Sequence, residues 1–296
     1  MAAATVDRKG LAASRVRRIA SQLRRVPLVP MTIIIVIFLT AIFANFLTPH
    51  SETEPSLPTR LRPPFWMEGG SWTYPLGTDP LGRDLLTRII FGARISLVVA
   101  FLTLFLGGAF GTAIGLISGY YGGRLDAVLM RGVDATMAFP IILFAILLVV
   151  TIGAGLMNVV VAIALILWAR YARVIRGEVL SLKERDFIAQ ARIAGCSTFR
   201  IVLVHLFPNV LHTLIVMLTL QVGWVIIVEA SLSFLGAGIP PPTPAWGYMV
   251  ADGREYVTTA WWVSLFPGIA ILLTVLSFNL FGDWLRDTLD PKLRQI

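Results

Sequence analysis

Long runs of apolar residues without Asp, Glu, Lys or Arg dominate the hydropathy pattern of this 296-residue chain. The uncharged windows are residues 28–47, 95–118, 135–169, 201–228 and 256–282. A helix that crosses a bilayer needs about 20 such residues, so four of these windows each predict one spanning helix. The remaining window, 135–169, is long enough for two helices, and Gly153, Gly155 and Asn158 near its middle predict a tight turn between them.

The chain is therefore predicted to be an all-α polytopic membrane protein with six transmembrane helices. We place the spans near residues 28–47, 93–118, 132–152, 157–176, 209–232 and 260–282. Composition agrees, because 56% of the residues are apolar, 14% are charged and the mean hydropathy is +0.79, whereas soluble domains carry about 25% charged residues. The first run is long enough to span and lacks an Ala-x-Ala cleavage site at its end, so it reads as an uncleaved anchor.

The distribution of Lys and Arg predicts the orientation of the chain in the membrane. Nineteen of the 25 basic residues fall in the N-terminal segment, the even-numbered loops with the ends of the adjoining spans, and the C-terminal segment, against five on the opposite side. Both termini and the hairpin 177–208 should therefore be cytoplasmic, next to anionic membrane lipid. Because the basic residues are scattered along membrane boundaries, they do not indicate nucleic acid binding.

These predictions divide the chain into five parts. They are a basic cytoplasmic tail at 1–27, a first transmembrane helix at 28–47, an external loop at 48–92, a transmembrane core at 93–284 that contains the hairpin, and a cytoplasmic tail at 285–296. In the external loop, Thr78 or Asp79 can cap an interfacial helix that has Pro80 in its first turn and Arg83, Asp84 and Arg88 as its polar residues. After Glu229, a Gly- and Pro-rich segment should end the fifth span near Gly236.

The hairpin 177–208 is a charged segment between two apolar spans. Its first half has helical periodicity up to Ile193, Gly195 should stop that helix, Ser197 can cap a second one, and Pro208 marks the return to an apolar run. An amphipathic helix-turn-helix on the aqueous face of a membrane protein usually contacts a partner. The alternative is a helical pair that lies passively at the lipid surface. Cys196, the single cysteine, has no disulfide partner and should be a free thiol.

The hairpin resembles the EAA loop of permease subunits of ATP-binding cassette importers, in which a Gly and a Pro follow an Ala-rich helical turn. Ala191, Gly195 and Pro208 match that signature, whereas Ala189 and Gln190 stand where Glu and Ala are most often found. The segments 75–97, 229–247 and 278–293 are similar to those of the second, or C-type, permease of peptide, nickel and opine importers. The resemblance therefore covers about residues 28–294.

This resemblance implies a type I importer permease fold and a coupling helix that docks on an ATPase. It assigns the coupling role to Arg185, Asp186, Phe187, Ala189, Gln190, Ala191, Gly195, Cys196, Ser197 and Pro208. The implied partners are a second permease subunit that completes a heterodimer, two cytoplasmic ATPases and an extracytoplasmic substrate-binding protein. The implied location is the bacterial inner membrane, and the implied substrates are dipeptides or oligopeptides, with nickel complexes, glutathione or opines as alternatives.

The sequence contains neither a phosphate-binding loop nor a cluster with metal-ligand spacing, since His50, His205 and His212 are dispersed. The chain is therefore not expected to be an enzyme or to bind a metal or cofactor, and ATP and Mg²⁺ should be held by the ATPase subunits. A secondary transporter is the alternative from another class. It would be expected to show paired discontinuous helices or a midplane acid relay, and neither is visible in the sequence.

Candidates for the substrate path are few. Gly107, Gly111, Gly115 and Gly119 recur at every fourth position, so they line one helix face that either packs against another helix or offers a smooth wall to a substrate. Glu229 is an acid near the outer end of its span, where it contacts substrate, is simply hydrated, or pairs with Arg94 or Arg83. Gln221 is a weaker candidate, for which a hydrogen bond between helices is favoured over substrate contact. The path candidates are Glu229, Gly111, Gly115 and Gln221.

Overall fold

The computed structural model describes residues 27–289, and within that range the chain is helical, with isolated bridges in place of β-strands. The helices that precede the hairpin are α1 (Leu28–Ile42), α2 (Ala44–Leu47), α3 (Leu85–Tyr121), α4 (Gly123–Ala138), α5 (Ile141–Ile152) and α6 (Leu156–Leu182). Those that follow are α7 (Asp186–Ile193), α8 (Thr198–Arg200), a π-helical segment (Ile201–Leu206), α9 (Phe207–Phe234), α10 (Trp246–Gly253) and α11 (Trp262–Leu289). Most of the two predicted tails lies outside the described residues.

Four helical stretches in residues 27–289 are long and apolar enough to cross a membrane. They are α3, α6, the continuous stretch from α8 to the end of α9, and α11. Helices α4 and α5 meet at a bend of 95° and are together apolar enough for either a broken fifth span or a re-entrant loop. Helix α1 coincides with the first predicted span but has only 15 residues, because Phe43 interrupts it before α2. The structure therefore supports four or five spans, and the count of six stays a prediction.

The two sides of the helical body are named here by the segments that they carry. The loop side carries residues 48–84 and 235–261, and the hairpin side carries residues 183–206. Helices α3 and α6 both run from the loop side to the hairpin side. The predicted turn inside the window 135–169 is confirmed between α5 and α6, where Gly153 and Gly155 have positive φ and Asn158 Nδ2 donates to the Gly153 carbonyl at 3.1 Å.

The glycine row of α3 packs against α6. A Cβ on Gly111 would lie 2.3 Å from the Trp168 carbonyl oxygen, and one on Gly115 would lie 2.8 Å from the Ala172 carbonyl oxygen. All four glycines of the row are buried. Of the two alternatives for this glycine row, helix packing and a smooth wall for substrate, the contact corresponds to helix packing. Because glycine has no side chain, the two helix backbones can approach closely.

Charged side chains join α3, α4 and α6 on the hairpin side. Arg176 donates from Nε and Nη2 to the two carboxylate oxygens of Asp126, each at 2.6 Å, and Ser118 also donates to that carboxylate. Arg173 Nη2 donates to Asp134 at 2.5 Å. Bidentate Arg–carboxylate pairs fix geometry as well as adding energy, so this cluster holds the hairpin-side ends of three helices together.

The predicted first residues of the interfacial helix are wrong. Helix α3 begins at Leu85 and runs without interruption into the span, and its N-cap is Asp84, whose side chain accepts from the Thr87 amide at 3.1 Å. Asp79 instead closes its own turn by accepting from the amides of Leu81 and Arg83 at 2.8 and 2.9 Å. A short acid that bonds nearby amides favours a turn over a helix, which is why the helix begins later.

The polar residues predicted for that interfacial helix are buried, which is a second correction. Asp79 and Arg83 are 3% exposed and Arg88 is 1% exposed. Asp79 Oδ2 lies 2.6 Å from Arg83 Nε and 3.5 Å from Arg88 Nε, and Arg88 Nη1 donates to the Glu52 carbonyl at 2.8 Å. Arg83 Nη2 also lies 3.9 Å from Asp252 Oδ2. This buried charge cluster ties the loop 48–84 to α3 and to the loop that contains α10.

Candidate functional site

The helix that the sequence predicts across the first half of the hairpin is broken in the structure. Helix α6 ends at Leu182, a turn follows in which the Arg185 amide donates to the Leu182 carbonyl at 3.0 Å, and α7 begins at Asp186. Lys183 Nζ donates to the Gly119 carbonyl at 3.2 Å and so attaches the end of α6 to α3. Periodicity alone could not reveal this break, because the spacing of apolar residues continues through it.

Helix α7 has one covered face and one open face. Ile188 and Ala191 are buried, whereas Arg185, Asp186, Phe187, Ala189 and Gln190 are exposed. Most of the residues that the resemblance assigns to the coupling role therefore point away from the protein. Ala191 is buried instead, because it packs against the hydrophobic core of the helical body. It therefore holds α7 in position and is not part of the exposed face.

Gly195 ends α7 in a left-handed turn. Its φ is +75°, the Cys196 amide donates to the Ala191 carbonyl at 3.0 Å, and the space around a hypothetical Cβ is open to 4 Å. This hydrogen bond is the six-to-one bond of a Schellman motif, which requires a positive φ that glycine adopts without strain. The predicted cap of the next helix is confirmed, because Ser197 Oγ accepts from the Arg200 amide at 3.4 Å.

Two large apolar side chains beside this turn are exposed. Ile193 is 87% exposed and Phe199 is 74% exposed, and Phe187 adds a ring that is 36% exposed. Ile193 is the last residue of the helical periodicity that the sequence shows, and Phe199 is not among the residues that the resemblance assigns to the coupling role. Large exposed apolar side chains that are close together in the chain and flanked by charged residues indicate a surface that a partner covers. We call Phe187, Ile193 and Phe199 the hairpin apolar cluster.

The hairpin is joined to α9 without a flexible link. Helix α8, the π-helical segment and α9 form one helical stretch from Thr198 to Phe234. Pro208 lies in the first turn of α9 and has no amide hydrogen, and Asn209 Nδ2 donates to the His205 carbonyl at 2.6 Å. The wider π turn accommodates the proline ring that an α-helical turn would crowd. The turn at Gly195 is therefore connected to α9 by a continuous helical stretch.

The remaining path candidates lie further along α9. Gln221 is half-buried, and Glu229 is 1% exposed. Ser233 Oγ donates to Glu229 Oε1 at 2.7 Å, and Oε2 has no hydrogen-bond partner among residues 27–289. The pairing of Glu229 with Arg94 or Arg83 is wrong. Arg94 Nε donates to the Ala41 carbonyl at 2.9 Å, and Arg83 binds Asp79.

The end of the fifth span agrees with the sequence. Helix α9 ends at Phe234, and Gly236 has a φ of +79° in the turn that follows. Among residues 27–289, no group of three or more His, Cys, Asp and Glu side chains is arranged to hold a metal ion.

Comparison with known proteins gives relatives over most of the chain. Residues 111–295 match the family described as binding-protein-dependent transport system inner membrane component. The chain is 42% identical to the dipeptide transport system permease protein DppC of Haemophilus influenzae over 90% of this chain and 91% of that protein. It is also 42% identical to the di/tripeptide transport system permease protein DppC of Pseudomonas aeruginosa, over 88% of this chain and 86% of that protein.

A third relative, DppC of Escherichia coli K12, is 44% identical over 90% of this chain and 89% of that protein. Among solved structures, the fold is similar to a chain of the MetNI methionine ABC transporter in its inward-facing conformations, with a TM-score of 0.57 and 18% identity. That match covers 70% of this chain and 98% of the other. The family match contains the hairpin and all of α9.

Proposed function

This chain belongs to the inner membrane components of binding-protein-dependent transport systems, and we propose that it is a permease subunit of an ATP-binding cassette importer for dipeptides or oligopeptides. The names of its relatives support peptides over nickel complexes, glutathione or opines. As a transport component it supplies a passage, and we assign ATP hydrolysis to two separate ATPase subunits that hold ATP and Mg²⁺.

The hairpin is the proposed docking site for those ATPases. We propose that the exposed face of α7 and the hairpin apolar cluster enter a groove on the ATPase surface, on the cytoplasmic side of a bacterial inner membrane. Both chain termini then lie on that side, as the Lys and Arg distribution predicts. A second permease subunit completes the passage, and a binding protein delivers substrate to the opposite, loop side.

The observation that carries this proposal is the rigid connection between the exposed hairpin and a spanning helix. Closure of the ATPases upon ATP would move the turn at Gly195, and the uninterrupted stretch from Thr198 to Phe234 would tilt with it. The packed contact between α3 and α6 would move as a second unit. Alternating access then results from rotation of rigid helical bodies, and no residue of this chain needs to react chemically.

Substitution at Gly195 tests the coupling role. Because the space around Gly195 is open, Gly195→Val should not clash, but a β-branched residue in the left-handed region costs about 1–3 kcal/mol and should distort the turn. We expect uptake of radiolabelled dialanine by cells to fall at least about fivefold, with membrane insertion unchanged. Gly195→Asn is the matched control, since Asn tolerates a positive φ, and it should keep most of the uptake.

Co-purification of the ATPase subunits with each variant would locate the defect. Reduced ATPase binding by Gly195→Val, with normal amounts of the variant in the membrane, supports docking at this turn. Normal dialanine uptake by Gly195→Val would reject the turn as the coupling element.

A further inference from the structure

Three arginines lie in α6, and they differ in their partners. Arg173 and Arg176 are paired with Asp134 and Asp126. The Arg170 side chain has no carboxylate within 4.0 Å and no hydrogen bond among residues 27–289, and its guanidinium carbon lies 5.0 Å from the centre of the Trp224 ring. Its side chain is half-buried. Arg170 is therefore a cation held against an aromatic ring, with donors left free.

The position of this pair along the helices places it deep in the membrane. Arg170 is 14 residues after the start of α6, about 21 Å from the loop side, and Trp224 is ten residues before the end of α9, about 15 Å from that side. The hydrocarbon core of a bilayer is about 30 Å thick, so the Trp224 ring lies near its middle and Arg170 lies about 6 Å nearer the hairpin side, still within the core. A charged group at such a depth is costly unless it faces a polar cavity or a partner, and it marks a functional site by default.

The surroundings of Arg170 change from covered to open along α6. Val159 and Ile163, which share its helix face toward the loop side, are fully buried. Toward the hairpin side, Val174 on the same face is 43% exposed and Gly177 is also exposed. The exposure of α9 changes in the same direction. Its residues after Gln221, toward the loop side, are mostly buried, whereas Leu211 and Ile215, toward the hairpin side, are each 37% exposed. Arg170 thus stands where this face of α6 changes from buried on the loop side to exposed on the hairpin side.

We propose that Arg170, oriented by the Trp224 ring, binds the terminal carboxylate of the transported peptide on the translocation path; this specificity role rests on the proposed function. A planar guanidinium donates two parallel hydrogen bonds to a carboxylate, and stacking on an indole fixes its plane. Every linear peptide carries this carboxylate whatever its side chains are. Recognition of the shared group suits a passage for peptides of varied sequence. Gln221, one helical turn before Trp224, is placed to add an amide donor.

The test uses the complete importer, with both permeases, both ATPases and the binding protein, in proteoliposomes. The probes are dialanine and dialaninamide, which lacks the negative charge, each supplied with enough binding protein to reach the same measured occupancy. For the wild type we expect dialanine uptake to exceed dialaninamide uptake about tenfold. Arg170→Gln should bring this ratio close to one, mainly by lowering dialanine uptake.

Four further variants separate charge from packing. Arg170→Lys keeps the charge but not the planar fork, so its ratio should fall between those of the wild type and Arg170→Gln. Trp224→Phe keeps a ring and should preserve the ratio better than Trp224→Leu. Arg173→Gln is the matched control. It removes an arginine that has its own carboxylate, and it should leave the ratio unchanged.

Each remaining outcome decides the question. If Arg170→Gln lowers uptake of both peptides by the same factor, or leaves dialanine uptake unchanged, the carboxylate role is rejected. If it prevents assembly with the second permease, Arg170 pairs with an acid of that subunit, and the role is also rejected. If the wild-type importer takes up neither peptide, the proposed function fails and the carboxylate role falls with it.

Discussion

Replacing Asp79 by Asn should destabilise the loop side of the protein by about 3–5 kcal/mol, because the change leaves buried cations without their central countercharge. Arg83 Nε lies 2.6 Å and Arg88 Nε 3.5 Å from the Asp79 carboxylate, and both arginines are at most 3% exposed. Asp79 also closes the turn before α3 through two backbone amides. Asn can accept from those amides but cannot balance the charges. The expected result is a large loss of the folded protein from membranes and a lower Tm after purification in detergent.

Asp252→Asn is the matched control for charge removal from the same cluster. Burial, and secondarily the negative charge of Asp79, raises the pKa of Asp252 above its ordinary value. An acid with a raised pKa adds stability that is fully present below its unfolded pKa and is lost as pH rises through the folded pKa. At neutral pH a neutral side chain should therefore be tolerated here, with a change below about 1 kcal/mol. Equal losses for the two variants would contradict the central role of Asp79.

Replacing both Ile193 and Phe199 by Asp should abolish stable binding of the ATPase subunits. The two side chains are 87% and 74% exposed, so they stabilise little within this chain and the variant should fold and insert normally. Burying a large apolar side chain contributes about 1.5–3 kcal/mol, so the loss of two contacts should weaken docking about a hundredfold or more. ATPase co-purification and ATP-driven dialanine uptake would both be measured, and both should fall together.

Leu57→Asp is a matched control for that pair. Leu57 is 69% exposed but lies on the loop side, away from the proposed docking surface. Its replacement should leave ATPase binding unchanged. If the variant with both Asp substitutions in the hairpin still purifies with the normal amount of ATPase, the hairpin apolar cluster is not a docking contact.

The sequence predicted well those features that depend on residues close together in the chain. Apolar runs located the helices, Gly153 and Gly155 located a turn, and the end of α9 near Gly236 followed from residues that cannot continue a helix. Ser197 was identified as a cap because a cap bonds an amide only three residues away. Local chemistry decides each of these features, so a single sequence is sufficient for them.

Features that depend on distant residues were missed. Arg83 and Arg88 have the spacing of an exposed polar face, and only the fold reveals that both are buried and that Asp252, from a loop more than 160 residues later, lies 3.9 Å from Arg83. The stacking of Arg170 on Trp224 joins two helices that are separated by the whole hairpin. Beside the break before α7, Lys183 donates to the Gly119 carbonyl of α3, a contact between residues 64 positions apart. Periodicity reports which residues share a helix face but not which partner covers that face.

Thiol labelling of the hairpin in cells tests the central claim most directly, that the turn at Gly195 lies on the cytoplasmic side and is covered by ATPases. Because native Cys196 is half-buried, the reporter is Ile193→Cys in a Cys196→Ser background. A membrane-impermeant maleimide should leave intact cells unlabelled and label inside-out vesicles that lack the ATPases. Adding the ATPase subunits to those vesicles should strongly reduce the labelling. Strong labelling in intact cells, or equal labelling with and without the ATPases, would contradict the account.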